Sequence, residues 1–213
     1  MEKTQKIVEI LRSVGGVLTD DHFVLTSGKH SDTYINKDAL YPHTAQTSAV
    51  GELFAKRAKD LDVEVVVGPA LGGIILSQWT AYHLSNISKR EVLGVYAEKG
   101  PDKTFLLTRG YDALVRGKRI LVVEDLTSTG GSVKRVVDAV IACGGNVVSV
   151  GVMLNRDPVH VTSEVMGVPF FALGELVVKA YEESELPEEI AKRPVNTKIG
   201  HGKKYLETKG QTG

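Results

Sequence analysis

The chain is predicted to be an α/β protein with a parallel, twisted sheet covered by helices on both faces. Three observations predict it. Strand-like and helix-like segments alternate from residue 44 to about 155, which is the sequence form of repeated βα units. Two of the strand segments, the β-branched run from Val63 to Val67 (with Glu64 its one polar residue) and the apolar run 120–123, have the composition that strands buried on both faces require. Each run is followed at once by a loop rich in small residues, 68–73 and 124–132, where open parallel sheets place their ligands.

The elements follow in order. Ile7, Val8, Ile10, Leu11 and Val14 recur at helical spacing, and Gly15-Gly16 ends that helix. Phe23-Val24-Leu25 and Tyr34-Ile35 read as short strands around a turn at 26–31. Residues 44–60 are helical, with Val50, Leu53, Phe54 and Ala58 on one face. After the β-branched strand at 63–67 and its glycine loop, a helix continues to about Leu84. Residues 92–96 form the next strand. Gly100, Pro101, Gly110 and mixed charge make 98–112 a loop or mobile hairpin. The strand at 120–125 leads through its loop into a helix reaching Cys143; residues 146–154 and 169–173 are the last strands. The Lys-, Gly- and Thr-rich stretch from Lys192 onward reads as a partly ordered surface segment.

With 213 residues and 42% hydrophobic content the chain can build one full core. Its 26 basic and 26 acidic side chains balance, so bulk charge predicts neither nucleic acid nor an anionic membrane as partner. No apolar stretch approaches the roughly 20 residues of a membrane helix, and the first residues lack the apolar segment of a signal peptide. A soluble, cytoplasmic protein is expected. Cys143, the single cysteine, excludes an internal disulfide and sits on the apolar side of its helix as a packing thiol.

The segment from Arg119 to Val133 carries the most chemistry. Glu124 and Asp125 close a buried strand, where they can hold sugar hydroxyls or a magnesium shell. Ser128, Thr129, Gly130, Gly131 and Ser132 are small enough for backbone N–H groups to surround a phosphate ahead of a helix. A P-loop would need an upstream Gly-x-x-x-x-Gly-Lys-Ser/Thr, and a dinucleotide fold a Gly-x-Gly-x-x-Gly; neither is present. The 68–73 loop is either a plain tight turn or a second phosphate cradle. Lys99, Lys103 and Arg109 are either solvated surface charges or the cations of a closing lid. Arg156, directly after an apolar strand, either grips a planar anion or pairs with an acid such as Asp157. The six histidines show no metal-ligand spacing. The turn around His30 is compatible with a binding role and does not require one.

The run from Val122 to Ser132 closely resembles the phosphoribosyl-diphosphate (PRPP) motif of type I phosphoribosyltransferases. Phe23-x-Leu25-x-Ser27-Gly28-x-His30-Ser31-x-x-Tyr34 resembles the N-terminal signature of the orotate branch. Gly68-Pro69-Ala70 with Gly73-Ile74 is similar to its pyrophosphate loop, and Tyr96-Ala97-Glu98-Lys99 with Arg109-Gly110 to a short-loop variant. Arg156 matches the orotate-binding arginine. The likeness covers roughly residues 5–175. It implies a single domain over 1–213, with a core at about 43–175 and a small hood from about 1–42 and the C-terminal part.

The activity implied is transfer of ribose 5-phosphate from PRPP to orotate, giving orotidine 5′-phosphate and pyrophosphate in pyrimidine biosynthesis. The alternatives are a purine base or a PRPP-sensing regulator without catalysis. Carried over, Glu124 and Asp125 hold the ribose hydroxyls. Leu126, Thr127, Ser128, Thr129, Gly130, Gly131 and Ser132 complete the PRPP site, with Ala70, Leu71, Gly72 and Gly73 at the pyrophosphate. Lys99 and Arg109 neutralise the leaving group. Ser27, Gly28, Tyr34, Ser128 and Arg156 surround the base. Magnesium is the implied cofactor, held mainly by substrate, with Asp125 reaching it through water and no direct side-chain ligand. A homodimer is implied, its lid reaching the neighbour's site. The chain departs from the common pattern where lysines are expected: Leu71-Gly72 stands in the pyrophosphate loop, Thr26 precedes Ser27-Gly28, and the lid lacks Arg-Lys-x-x-Lys-x-His.

Overall fold

The computed structural model describes residues 2–210, with side chains from residue 6 onward; Met1 and residues 211–213 of the expected domain span lie outside the described residues. Helix α1 (Glu2–Ser13) is followed by four two-residue strands, β1 (Val17–Leu18), β2 (Phe23–Val24), β3 (His30–Ser31) and β4 (Tyr34–Ile35). Next come α2 (Thr44–Ala58), β5 (Val65–Pro69), α3 (Gly72–Ser88), β6 (Leu93–Lys99) and β7 (Phe105–Leu106). A short α4 (Tyr111–Val115) precedes β8 (Arg119–Thr127), α5 (Gly131–Ala142), β9 (Asn146–Asn155), α6 (Ser163–Met166) and β10 (Phe170–Glu175). The chain ends in α7 (Glu188–Ala191) and α8 (Gly202–Gly210). No helix among the described residues is long and apolar enough to cross a membrane.

Six strands form one sheet in the order β10-β9-β8-β5-β6-β7; only β7 runs antiparallel to its neighbour. Side chains of successive strand residues point to opposite faces, and this alternation creates two cores. Val66, Leu121, Val123 and Met153 face α1, α2 and α3, where Leu11, Phe54 and Leu76 are fully buried. Val65, Val67, Ile120, Val122 and Val150 face the other way, onto Val133, Val136, Val137 and Val140 of α5. The β-branched runs are therefore consumed on both sides, which is why they lack polar alternation.

The connection from β5 through α3 to β6 moves outward in one direction. From β8 through α5 to β9 and on to β10 the chain moves in the other. The winding direction reverses between β5 and β8, so the loops after these two strands diverge and open a crevice.

The predicted elements recur with differences at the N-terminal end. Phe23–Val24 pairs with His30–Ser31, while Tyr34–Ile35 pairs with Val17–Leu18, a strand too short to show a pattern in the sequence. The 98–112 segment is a hairpin of β6 and β7, held to the core by buried Phe105 and Leu107. Cys143 is half-buried where α5 ends rather than enclosed. The C-terminal segment is more closely tied down than its composition suggests. Val195 bridges to His22, Asn196 N donates to the His22 carbonyl at 2.8 Å, and His201 N donates to the Val24 carbonyl at 2.9 Å. These attachments are backbone hydrogen bonds, which leave no hydrophobic period to read.

Phe54 is fully buried and stacks obliquely on Phe171, with ring centroids 6.3 Å apart. Phe54→Ala leaves a cavity between α2 and β10 and is expected to cost roughly 3–5 kcal/mol. Urea denaturation would read this as a lower midpoint at unchanged slope.

Candidate functional site

The crevice is organised around Asp125. Burial of β8 on both faces carries this carboxylate inward until its residue is only 4% exposed. It cannot stay ionised there without partners. Its Oδ2 accepts from Lys37 Nζ at 2.7 Å and from the Tyr41 hydroxyl at 2.8 Å. Lys37 and Tyr41 lie in the turn between β4 and α2, more than 80 positions upstream. The sequence reading did not single them out, because nothing local distinguishes that turn from a solvated one. Burial acts to lower the Lys37 pKa, but the Asp125 carboxylate outweighs it and the net shift is upward. The Tyr41 hydroxyl is pushed well above its ordinary range, by burial first and then by Asp125, so it stays a donor.

Glu124 is the second acid, also buried, and its Oε1 accepts from the Asp125 backbone N–H at 2.9 Å. Burial, and then the neighbouring Asp125 charge, raise its pKa well above the ordinary carboxylate range. The two acids thus differ: Asp125 has a cation against it, while Glu124 lacks one and resists ionisation.

Two loops close on this pair. After β5, the Ala70-Leu71 peptide is cis and Leu71 points outward, 82% exposed. Gly72 packs against the acid, where an added Cβ would clash with the Asp125 carboxylate and the Tyr41 hydroxyl. After β8, Thr127 Oγ1 accepts from Gly130 N at 3.0 Å, and Gly130 takes a left-handed turn (φ +75°) that a Cβ would strain. Gly131 then starts the 12-residue α5, leaving N-terminal amides directed out of the helix.

Two clefts adjoin and share Lys37 and Leu126. One, of about 360 Å³, is lined by Ala70, Leu71, Gly72, Lys99, Glu124, Asp125 and Ser132. The other, of about 390 Å³, is lined by Thr26, Ser27, Tyr34, Ser128, Arg156 and Ala180 among others. Thr127, Thr129, Gly130 and Gly131 shape the turn between them, and Gly73 packs behind the first loop against Gly68. Arg156 makes no ion pair with Asp157, which is engaged by His160 at 2.9 Å. Its guanidinium Nε is buried without a hydrogen-bonding partner among the described residues, and burial lowers its pKa. A half-buried cation with an unused donor, at one wall of a cleft, is complementary to a planar anion.

Two expected residues sit elsewhere. Gly28 lines a neighbouring cleft with His201 and Tyr205, not the one holding Arg156, because the 26–29 turn directs it to the far side of the hairpin. Arg109 lines neither cleft; its Nε donates to Glu98 at 2.9 Å, which holds it along the outside of the β6–β7 hairpin. Among the described residues no three His, Cys, Asp or Glu side chains gather as a metal-ligand set. With Asp125 Oδ2 occupied by Lys37 and Tyr41, the acids fit a role in the outer shell of a substrate-borne cation.

Residues 36–160 match the phosphoribosyl transferase domain family. The orotate phosphoribosyltransferase of Caldanaerobacter subterraneus subsp. tengcongensis is 37% identical over 187 residues, 88% of this chain and 92% of that protein. The Thermotoga maritima orotate phosphoribosyltransferase is 40% identical over 181 residues, 85% of this chain and 90% of its own. Among solved structures, Mycobacterium tuberculosis orotate phosphoribosyltransferase in complex with Fe(III) dicitrate shares the fold with a TM-score of 0.65. It is 24% identical, over 82% of this chain and 97% of that one.

Gly72→Ala drives a methyl group into the Asp125–Tyr41 contact and is expected to lower stability by roughly 1–3 kcal/mol. Gly131→Ala, whose Cβ would find only ordinary contacts at 3.5 and 3.6 Å, should leave the melting temperature nearly unchanged. Thermal denaturation of the two variants side by side checks the difference.

Proposed function

The chain belongs to the phosphoribosyl transferase family, on its orotate phosphoribosyltransferase branch, and from that premise we propose that it transfers the ribose 5-phosphate of PRPP to orotate. The products are orotidine 5′-phosphate and pyrophosphate, a step of pyrimidine biosynthesis. The observation that carries the choice of base is Arg156. Its half-buried guanidinium, whose Nε has no partner among the described residues, faces a cleft that adjoins the acids, and orotate, unlike a neutral purine, brings a carboxylate to meet it.

In this reading PRPP occupies the cleft of Glu124 and Asp125, which accept from the ribose 2′- and 3′-hydroxyls. The amides of residues 128–132 at the start of α5 take the 5′-phosphate. Residues 70–73 meet the pyrophosphate, with Lys99 beside them. The base approaches from the Arg156 side, across Lys37, which lines both clefts. A bond forms between the orotate ring nitrogen, which gives up its proton to water or to the departing pyrophosphate, and C1′, while the C1′–oxygen bond breaks and its electron pair leaves with pyrophosphate. Positive charge develops on the ribose ring, so stabilising the leaving group outweighs the need for a strong base. Magnesium, when bound with PRPP, would supply further charge neutralisation on the diphosphate, and Asp125 would help hold it through water. Arg109 contributes only after it exchanges Glu98 for the substrate, a change that closure of the β6–β7 hairpin would bring.

A homodimer completes this reading, each hairpin reaching toward the partner's cleft. In support, exposed Lys103 sits at the hairpin tip and lines neither cleft of its own chain. The domain is read as a core of about 43–175 under a hood formed from about 1–42 and the C-terminal part. The packing of the short ribbons and α8 beside the second cleft supports it.

Steady-state assays with PRPP, magnesium and a panel of bases test the assignment; orotate should turn over, and turnover of a purine with none of orotate would overturn it. Asp125→Asn should lower kcat by roughly a hundredfold or more with an unchanged far-UV circular dichroism spectrum. Glu124 adds a pH signature. Its folded-state pKa is raised, so the ligand-free site holds a proton that the unfolded chain would already have lost; the associated stability is full below the unfolded value and is lost as pH rises through the folded one. Binding PRPP with magnesium favours the carboxylate and should release protons near pH ~7. Calorimetry in buffers of different ionisation enthalpy would show this as a buffer-dependent heat.

A further inference from the structure

Behind the second cleft lies a buried pair of histidines for which the reaction has no use. His22 and His30 are 4% and 1% exposed, and His22 Nε2 lies 2.8 Å from His30 Nδ1. The protonation pattern follows from the partners. His22 Nδ1 lies 3.0 Å from the Arg193 carbonyl, which can only accept, so that nitrogen carries the hydrogen. In a neutral ring His22 Nε2 is then an acceptor, and His30 Nδ1 donates to it. His30 Nε2 is left as a bare lone pair, enclosed and without a partner among the described residues.

The pair joins every piece of the cleft's outer wall. His22 and His30 flank the turn that places Leu25, Thr26 and Ser27 on the cleft. On one side His30 exchanges backbone hydrogen bonds with Tyr181, each 2.8 Å, and Ser31 Oγ donates to the Lys179 carbonyl at 2.7 Å; Ala180 between them is a further wall residue. On the other side, His22 holds the C-terminal segment through Arg193, Val195 and Asn196. Among the described residues no comparable hydrogen-bonded link runs from the pair to the cleft of Glu124 and Asp125.

We propose that the His22–His30 pair is a positioning clasp for the base-side wall, which holds only while both imidazoles are neutral. The inference rests on the orotate reading above. A proton added to His30 falls on the enclosed Nε2. Added to His22, it forces His30 to the other tautomer and again puts a hydrogen on that nitrogen. Both routes leave a buried N–H with no acceptor and a charge in a dry site. The groups facing the pair do not offset this. Asp21 is engaged by the His22 N–H and Asn196; Glu183 and Lys209 pair with each other; Glu182 pairs with Lys29; and Tyr205 presents its ring edge-on to His30 at 5.0 Å. Burial, then the His22 charge, lower the His30 pKa, so the clasp is intact across neutral pH and loosens on acidification.

The test is a split between the two substrates. His30→Ala should raise the KM for orotate roughly threefold to tenfold, with kcat and the KM for PRPP within about twofold. His30→Asn keeps a donor toward His22 Nε2 but cannot titrate. It should restore the KM for orotate near pH ~8, and abolish the rise that the wild type shows on going to about pH 5. Equal changes in both KM values for His30→Ala, or an acid-induced rise in the KM for orotate that persists in His30→Asn, would overturn the clasp. If His30→Ala does not fold, the wild type and His30→Asn alone decide through their pH profiles. Absence of orotate turnover by the wild type would remove the reaction assigned above; normal turnover with a pH-independent ratio of the two KM values would remove the clasp alone.

Discussion

The buried carboxylate of Asp125 is the constraint on which the rest of the site depends. A strand enclosed on both faces delivers a charge into a region with little water, and that charge is tolerable only because Lys37 and Tyr41 meet it. Losing one partner of a fully buried pair costs roughly 3–5 kcal/mol; Lys37 retains about a third of its side-chain exposure, which puts this pair toward the lower figure. The same contact ties the turn before α2 to the end of β8. It thereby sets the distance between the N-terminal ribbons and the sheet, and with it the width of both clefts. Gly72 is part of the same constraint, since the carboxylate and the Tyr41 hydroxyl occupy the space of any side chain there.

The sheet supplies the second level of organisation. Reversal of winding between β5 and β8 brings a glycine turn and a hydroxyl–glycine turn side by side, one after each strand. The acids, the start of α5 and the first loop are thereby brought to one end of the sheet, where carboxylates, N-terminal backbone amides and the Lys99 ammonium offer three distinct chemistries. Tyr34 and Arg156 line the adjoining cleft, beside the turn between β2 and β3. The departures from the common lysine pattern fall on both clefts, Thr26 on one and Leu71-Gly72 on the other, while the acids on β8 match the motif.

How much of this was legible depended on whether the signal was local. The strands at 65–69 and 119–127 announce themselves by the apolar runs Val65–Val67 and Ile120–Val123, and the loop after each by its small residues. Arg156 was visible as a cation at a strand end, although its two readings could be separated only once Asp157 was found with His160. Lys37 and Tyr41 carried no signal, since a lysine and a tyrosine in a polar turn are ordinary there. Arg109 and Gly28 were expected at the site, but the direction each faces is set by hairpin geometry: Glu98 draws Arg109 outward, and the 26–29 turn sends Gly28 to the far side. The pairing of β2 with β3, and of β1 with β4, is likewise a matter of hydrogen-bond partners that two-residue strands do not encode in their pattern.

By itself the sequence determined the fold class, the position of the acids and the phosphate-type loop, and the family resemblance, because each rests on residues adjacent along the chain or repeated at a fixed period. Only the tertiary structure decided which cation neutralises Asp125, that among the described residues Glu124 has no cation paired with it and Arg156 keeps an unused donor, and that the C-terminal segment is fastened behind the Arg156 cleft. These depend on pairs of groups separated by tens to more than a hundred positions, and burial fixes their charges only after the chain has closed around them.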